Sequence, residues 1–191
     1  MVCVIGGVMV VKKRRLFAIA LIIWLLPTLL VTDMVTPLVK VESKLYSRMV
    51  FLDYDYAKKM VDGNVEIAVL YDTGDHFEIA KRFAQDLGQK QMLGKSVAVR
   101  LHDVNDFERV GIPTAFITVL ETQKLKKIAK ALISKKRLVF VYDEANIAYG
   151  MVGIRLGANI VPVINIENLI QAGINLRPIV FQVAKVYDGG Y

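Results

Sequence analysis

Short apolar runs alternate with amphipathic segments along most of the chain, and this alternation constrains the fold more than any other feature. The runs are rich in β-branched residues and apolar on both faces, which is typical of strands buried within a sheet. Apolar residues in the intervening segments recur at spacings of three and four, which predicts helices. The strands are predicted at 65–71, 97–101, 114–120 and 138–142, and the helices at 38–60, 75–88 and 121–134. This order predicts an α/β fold, a three-layer sandwich around a mostly parallel sheet.

The pattern changes after residue 149. Two strand-like segments, 150–156 and 160–164, flank a short glycine-containing turn, which predicts a C-terminal antiparallel hairpin. Pro162 favours an edge position for the second of these strands. Asn165 is a suitable cap for a short helix that ends at Gly173. A final helix is predicted with one apolar face made of Leu176, Ile179, Val180, Val183, Ala184 and Tyr187.

The N-terminus has the pattern of an export signal or a membrane anchor. Four basic residues, Lys12–Arg15, precede an apolar run at 16–31, which is closer to a signal core than to a full membrane span. No A-x-A cleavage site follows, so an uncleaved anchor stays open. The basic cluster would remain in the cytoplasm. We therefore predict an N-terminal hydrophobic signal or anchor helix at 1–37 and an exported domain at 38–191.

Composition and charge exclude several classes of protein. Apolar residues make up 54% of the chain, which excludes wholesale disorder. The net charge is +7, but residues 1–32 contribute +4 of it, and the remaining +3 does not indicate a nucleic-acid partner. The basic segment 124–137 is interpreted as the solvated face of a helix. Docking of this segment to anionic lipid headgroups or to an acidic partner stays open.

The sequence contains no recognisable catalytic or metal-binding motif. With two histidines and one cysteine, no zinc site of familiar spacing can form, and we predict no metal, no cofactor and no enzymatic activity. The segment Asp72, Thr73, Gly74 and Asp75 follows the carboxyl end of the first predicted strand. Ligands of open α/β sheets bind at that edge, so these four residues are the candidate ligand-binding site. A metal site at Asp72, Asp75 and His76 is conceivable, although turn and cap chemistry explains these residues more simply.

Several short motifs are similar to those of one known family. They are Tyr54–Lys58, Ile67–Leu70, Gly150–Val152, Val163–Ile166, Ala172–Leu176 and Val183–Val186. Together they resemble the YfiR-like periplasmic family over residues 45–188. The resemblance implies a periplasmic regulator that often forms homodimers and restrains a membrane-bound diguanylate cyclase, linking the envelope to cyclic di-GMP signalling. With Cys3 as the only cysteine, the disulfides of that family cannot form within this chain.

A second interpretation is a solute-binding module. Residues 67–74 look like the first strand and loop of one lobe of the transport-associated binding proteins. A complete protein of that class encloses its ligand between two lobes, and the predicted domain is long enough for one. The sequence therefore leaves two functions open, a periplasmic regulator that binds a membrane signalling protein and a single-lobe solute-binding module.

Overall fold

The computed structural model describes residues 35–88, 91–92, 94–157 and 159–189. The predicted signal or anchor at 1–37 lies almost wholly outside these residues, so it stays a prediction, as does the boundary of the exported domain. Within the described ranges, no helix combines the length and apolar character needed to cross a membrane.

The described part of the chain contains eight strands and five α-helices. The strands are β1 (Val65–Tyr71), β2 (Gln91–Met92), β3 (Lys95–Asp103), β4 (Ala115–Val119), β5 (Leu138–Val141), β6 (Val152–Arg155), β7 (Val161–Ile164) and β8 (Lys185–Val186). The α-helices are α1 (Val35–Val50), α2 (Gly74–Gly88), α3 (Thr122–Ser134), α4 (Ile166–Ala172) and α5 (Ile179–Val183). Short 3-10 helices occupy Tyr56–Lys59, Val104–Arg109 and Glu144–Tyr149.

All eight strands form one sheet in the order β2-β3-β1-β4-β5-β6-β7-β8. The five strands from β3 to β6 in this order run parallel, β2 is antiparallel to β3, and β7 is antiparallel to β6. The predicted mostly parallel sheet and the predicted C-terminal hairpin are both confirmed. Because the central strands are parallel, β1, β4, β5 and β6 all end at the same edge of the sheet.

Helices cover both faces of the sheet. The connection through α2 leads from β1 to β3 on one side, whereas the connection through α3 leads from β4 to β5 on the other. Right-handed crossovers in opposite directions place α2 and α3 on opposite faces. Helix α1 shares the face of α2, because the Tyr46 ring stacks on Phe83 of α2 and Phe140 of β5. This arrangement confirms the three-layer sandwich.

The centre of the sheet is buried on both faces. Every residue of β4 and β5 is buried, which explains why these strands have no polar alternation in the sequence. Helix α3 buries Leu125, Ala129, Leu132 and Ile133, while Lys126, Lys127 and Lys130 are exposed. The basic segment 124–137 therefore lies largely on a solvated helix face, as predicted.

The first predicted helix, at 38–60, is wrong in length. Helix α1 ends at Val50, and a turn and the 3-10 helix Tyr56–Lys59 follow it. The buried carboxylate of Asp53 accepts a hydrogen bond from the backbone N of Asp55 at 3.0 Å and pairs with Lys59. Aspartate commonly stabilises a turn in this way and competes with helix continuation. Apolar spacing alone cannot separate one long helix from a helix followed by a turn.

The predicted final helix is also too long, and the predicted edge strand is not outermost. Helix α5 covers only Ile179–Val183, and the chain then forms β8 beside β7. Residue Val186 pairs with Ile164, so β8 rather than β7 forms this edge of the sheet. Pro162 lies beyond the two residues of β7 that pair with β8, so its missing N–H costs no hydrogen bond there.

We expect the substitution Gly150→Ala to destabilise the fold. An added Cβ would lie 2.3 Å from Val141 Cγ1, on a strand that is buried throughout. Overpacking of this kind costs about 1–3 kcal/mol of unfolding free energy. The matched control is Gly111→Ala, where no heavy atom lies within 4 Å of the added Cβ. Urea denaturation of the two variants should separate them, and equal stability would contradict the packing described here.

Candidate functional site

A cavity of about 530 Å³ lies at the edge where the parallel strands end. Neighbouring strands β1 and β4 have connections that leave in opposite directions, so this edge contains the topological switch point of the sheet. Open α/β sheets bind ligands in the crevice at such a point. The residues that line the cavity are Leu38, Glu42, His76, Leu120, Glu121, Thr122, Tyr142, Asp143, Glu144, Asn146, Ile154 and Leu156.

Helix α1 presents a polar stripe to the interior. Glu42, Ser43 and Ser47 are all buried, next to the apolar Val39 and Tyr46 on the same face. Glu42 is 0% exposed although it lines the cavity, and its Oε2 has no hydrogen-bond partner among the described residues. Ser43 Oγ is likewise unpartnered in the described part of the chain. Buried polar atoms without partners are costly and are uncommon in native proteins.

The hydrogen bonds of Tyr46 indicate the protonation state of Glu42. The Tyr46 hydroxyl lies 2.7 Å from the carbonyl oxygen of Val141 and 3.4 Å from Glu42 Oε1. A tyrosine hydroxyl has one proton, and the shorter bond to Val141 uses it. The contact with Glu42 is then favourable when a neutral carboxyl group supplies its own proton to the tyrosine oxygen.

Burial favours the same neutral form of Glu42. Desolvation is the largest cause and raises the pKa of Glu42 to about 9. A hydrogen bond donated by Tyr46 would lower the pKa, but the Tyr46 proton is directed at Val141, and the negative charge of Asp143 raises the pKa further. Near neutral pH the cavity wall therefore holds a protonated carboxyl group.

Three further carboxylate side chains line the cavity. Asp143 caps the 3-10 helix at Glu144–Tyr149 by accepting a hydrogen bond from the backbone N of Ala145 at 2.9 Å. Glu144 forms an ion pair with Arg155 at the end of β6. Glu121 follows β4 and is exposed. Together with Glu42, these residues place four carboxyl groups in the cavity lining.

Hydrogen bonds between neighbouring loops hold the lining around Asn146 in place. The buried side chain of Asn146 donates to the carbonyl oxygen of Leu120 at 3.1 Å. The Thr122 hydroxyl donates to Asn146 Oδ1 at 2.7 Å. These bonds connect the loop after β4 with the 3-10 helix after β5, so both segments keep fixed positions at the cavity.

The predicted ligand-binding segment, Asp72, Thr73, Gly74 and Asp75, lies at the expected edge, but none of its residues lines the cavity. The Asp72 carboxylate accepts a hydrogen bond from the backbone N of Glu121 at 3.0 Å and contacts His76 Nδ1. Thr73 Oγ1 accepts from the backbone N of His76 at 3.2 Å at the start of α2. The segment thus joins the end of β1 to the start of α3, and ligand binding by these four residues stays a prediction.

The contacts of Asp72 also keep it ionised. Burial alone would raise the pKa of Asp72, but the hydrogen bonds from His76 and from the backbone of Glu121 outweigh it and lower the pKa. Lys124 acts in the same direction, with its Nζ 3.8 Å from Asp72 Oδ2. Among the described residues, no group of three or more His, Cys, Asp or Glu side chains could hold a metal ion. Asp72, Asp75 and His76 do not form such a group.

Sequence reasoning missed Glu42, Tyr142, Asp143 and Glu144. Apolar spacing alone would place Val41 and Leu45 on the buried face of the first helix, whereas both residues are only partly buried. A signal for Glu42 exists in retrospect, since it lies at helical spacing between Val39 and Tyr46. The acidic pair Asp143 and Glu144 directly follows a buried strand and is a comparable signal.

Comparisons with known proteins place the fold but not the family. No protein-family model matches the chain, and no curated protein matches it. An ABC domain from Streptococcus pneumoniae, solved in complex with L-Trp, is similar with a TM-score of 0.51 and 13% identity, over 73% of this chain and 61% of that one. A conserved domain protein from Vibrio cholerae is similar with a TM-score of 0.50 and 11% identity, over 78% of this chain and 59% of that one.

These similarities confirm the α/β fold class. At 13% and 11% sequence identity they do not indicate a function. The matches cover about three fifths of each neighbour's length. They do not bear on the resemblance of residues 45–188 to the YfiR-like family, which stays a prediction.

The raised pKa of Glu42 predicts a specific dependence of stability on pH. Between the ordinary glutamate pKa of 4.5 and about 9, the folded state retains a proton that the unfolded state has lost. Raising the pH through this window therefore lowers the free energy of unfolding, by up to about 1.4 kcal/mol per pH unit for this one group. The Glu42→Gln variant, which cannot ionise, should lack this contribution.

Denaturant titrations at several pH values measure the effect. The control is Glu78→Gln on the exposed side of α2, which should keep the pH dependence of the original chain. If Glu42→Gln and the original chain show the same slope, Glu42 is ionised in the folded state and the assignment above is wrong.

Proposed function

We propose that this chain is a non-enzymatic, exported solute-binding domain that holds a small organic molecule in the cavity beside Glu42. The observation that carries the proposal is the unpartnered Oε2 of Glu42, fully buried in the wall of a cavity at the topological switch point. A bound ligand could donate the hydrogen bond that this buried oxygen lacks.

The size and lining of the cavity support this function. Sites for small molecules typically have volumes of roughly 300–1,000 Å³ and combine apolar walls with a few oriented polar groups. A volume of about 530 Å³ lies within that range. Leu38, Leu120, Ile154 and Leu156 supply apolar surface, and Glu42, Asn146 and Thr122 supply polar atoms.

The composition of the lining supports binding rather than catalysis. No serine, cysteine or lysine is among the described residues that line the cavity, so an obvious nucleophile is missing from that set. His76, a candidate base, is held by Asp72. The similar domain from Streptococcus pneumoniae was solved in complex with L-Trp, which is consistent with a small organic ligand for this fold.

The proposal predicts that a ligand stabilises the chain and that filling the cavity removes this effect. We would screen amino acids, amines, carboxylates, sugars and nucleosides by thermal shift. A ligand at roughly 100 times its Kd should raise Tm by about 5 °C or more. Leu156→Trp enlarges a cavity-lining side chain that is 54% exposed and so avoids the core.

The matched control is Ile170→Trp on α4, an exposed apolar residue outside the cavity lining. The control should keep the full shift, and Leu156→Trp should reduce it. If no compound raises Tm, or if both variants respond alike, the cavity is not the binding site and the proposal fails.

A regulatory role through a protein partner is a second candidate. Four large apolar side chains near the C-terminus are about half exposed, namely Ile179, Phe181, Val183 and Val186. An exposed apolar patch of this kind is suited to contact with a protein partner or a second copy of the chain. Together with the resemblance to the YfiR-like family, this patch supports binding to a membrane signalling protein such as a diguanylate cyclase.

This second candidate predicts that a charge in the patch releases the cyclase. In cells, Phe181→Asp should raise cyclic di-GMP and abolish co-purification with a membrane signalling protein, because a carboxylate would disrupt an apolar contact. The control Ile112→Asp changes an exposed apolar residue elsewhere in the fold and should have no effect. Unchanged cyclic di-GMP in both variants and on deletion of the gene would exclude this role.

A further inference from the structure

We propose that the Glu42 cavity selects small organic cations, specifically primary amines, and that Glu42 releases its proton when an amine binds. This inference rests on the proposed solute-binding function and specifies the ligand class of the same site.

The charges around the cavity favour a cation. Four carboxyl groups line it, those of Glu42, Glu121, Asp143 and Glu144, whereas no lysine or arginine is among its described lining residues. Arg155 neutralises Glu144, Lys124 pairs with Asp72, and Glu42 is protonated, so Glu121 and Asp143 carry the remaining negative charge of the lining. A carboxylate or phosphate ligand would therefore meet like charge, and an ammonium group would meet complementary charge.

The position of the acids indicates an organic cation rather than a metal ion. Within the described residues the acidic side chains do not converge into a group that could hold a metal. Glu42 Oε2 is a single buried acceptor without a partner among the described residues, and an ammonium group with three N–H donors can use it when the carboxyl group turns toward the cavity. The apolar walls at Leu38, Leu120 and Ile154 then contact the hydrocarbon part of the ligand.

Binding of an amine would replace the proton on Glu42 with the ammonium group of the ligand. In the empty cavity Glu42 is neutral, because the Tyr46 proton is directed at Val141 and an ionised Glu42 would have no donor. An incoming ammonium group supplies that donor, so the Glu42 proton leaves to the solvent as the cation enters. The ligand keeps its own proton, and the net charge of the cavity is unchanged.

The other groups that face Glu42 allow this exchange. Tyr46 lies on the same helix, Tyr142 and Asp143 follow β5, and His76 begins α2 across the cavity. Glu121 and Glu144 complete the charged lining. The acids near Glu42 oppose its ionisation only while no cation is present, which couples the release of the proton to the arrival of the ligand.

Isothermal titration calorimetry of the full chain at pH 7 tests the inference. The probes are phenethylamine, tyramine and pentylamine, each compared with a carboxylate of matching skeleton: 3-phenylpropionate, 3-(4-hydroxyphenyl)propionate and hexanoate. At least one amine should bind and the carboxylates should not. The binding heat should differ between phosphate and Tris buffers by the amount expected for release of about one proton per amine.

Variants separate the role of Glu42 from general acidity. Glu42→Gln should weaken amine binding by about tenfold or more and remove the dependence of the heat on buffer, since a charge-assisted hydrogen bond is lost. Glu121→Gln, at an exposed position of the lining, should weaken binding less and keep the buffer dependence. It also provides a test if Glu42→Gln does not fold. The control Glu167→Gln on α4 lies outside the cavity lining and should change nothing.

The outcomes distinguish this inference from the function on which it rests. If carboxylates or neutral compounds bind in a way that Leu156→Trp blocks while amines do not bind, the solute-binding function stands and the amine inference falls. If amines bind equally well to Glu42→Gln, or bind without any buffer-dependent heat, the proton exchange is wrong. If no compound of any class binds, both proposals fall together.

Discussion

The buried side chain of Tyr46 connects helix α1 to the sheet, and the candidate site depends on that connection. Its ring stacks on Phe140 with centroids 4.5 Å apart and on Phe83 at 6.3 Å, and its hydroxyl donates to the last carbonyl of β5. A buried tyrosine needs such a partner for its hydroxyl group. Because β5 ends at the cavity, the same contact positions α1 over the edge where the parallel strands end. Glu42, one turn before Tyr46, then forms part of the cavity wall.

The opposite wall follows from topology rather than from any single residue. Parallel strands that end together, with connections leaving in opposite directions at β1 and β4, leave a crevice between the loops. The loops after β4 and β5 close this crevice with the hydrogen bonds of Asn146. A general property of the fold thus creates the space, and a few local polar residues determine its chemistry.

Much of the fold could be predicted from the sequence because its signals are local. Mostly apolar runs that contain several β-branched residues, at 65–71 and 138–142, correspond to buried strands, and Asn165 and Gly173 mark the two ends of α4. The predictions failed where the deciding interaction was not local. Asp53 ends the first helix region through a turn and an ion pair with Lys59, and the pairing of Val186 with Ile164 converts the predicted end of a helix into a strand.

The candidate site was only partly predictable, because its side chains are brought together by interactions that are not local in the sequence. The edge of the sheet followed from the order of strands and helices, and the segment at Asp72 lies there as expected. Which side chains line the cavity depends on the helix face that α1 buries, and three of those buried residues are polar. A pattern read from hydrophobicity alone assigns Glu42 and Ser43 to the solvent. Their burial follows from the position that Tyr46 gives the helix.

The Asp72 carboxylate connects the loop after β1 to the loop after β4 across the switch point, and this connection affects how a ligand would bind. It accepts from the backbone at the start of α3 while contacting His76 on α2, so the segments on either side of the crevice are tied together before any guest arrives. A preorganised receptor loses little conformational entropy on association, and more of the intrinsic interaction energy is expressed as affinity. Selectivity among ligands then depends on how well the cavity replaces the hydration shell of each ligand, rather than on how far these two segments must move.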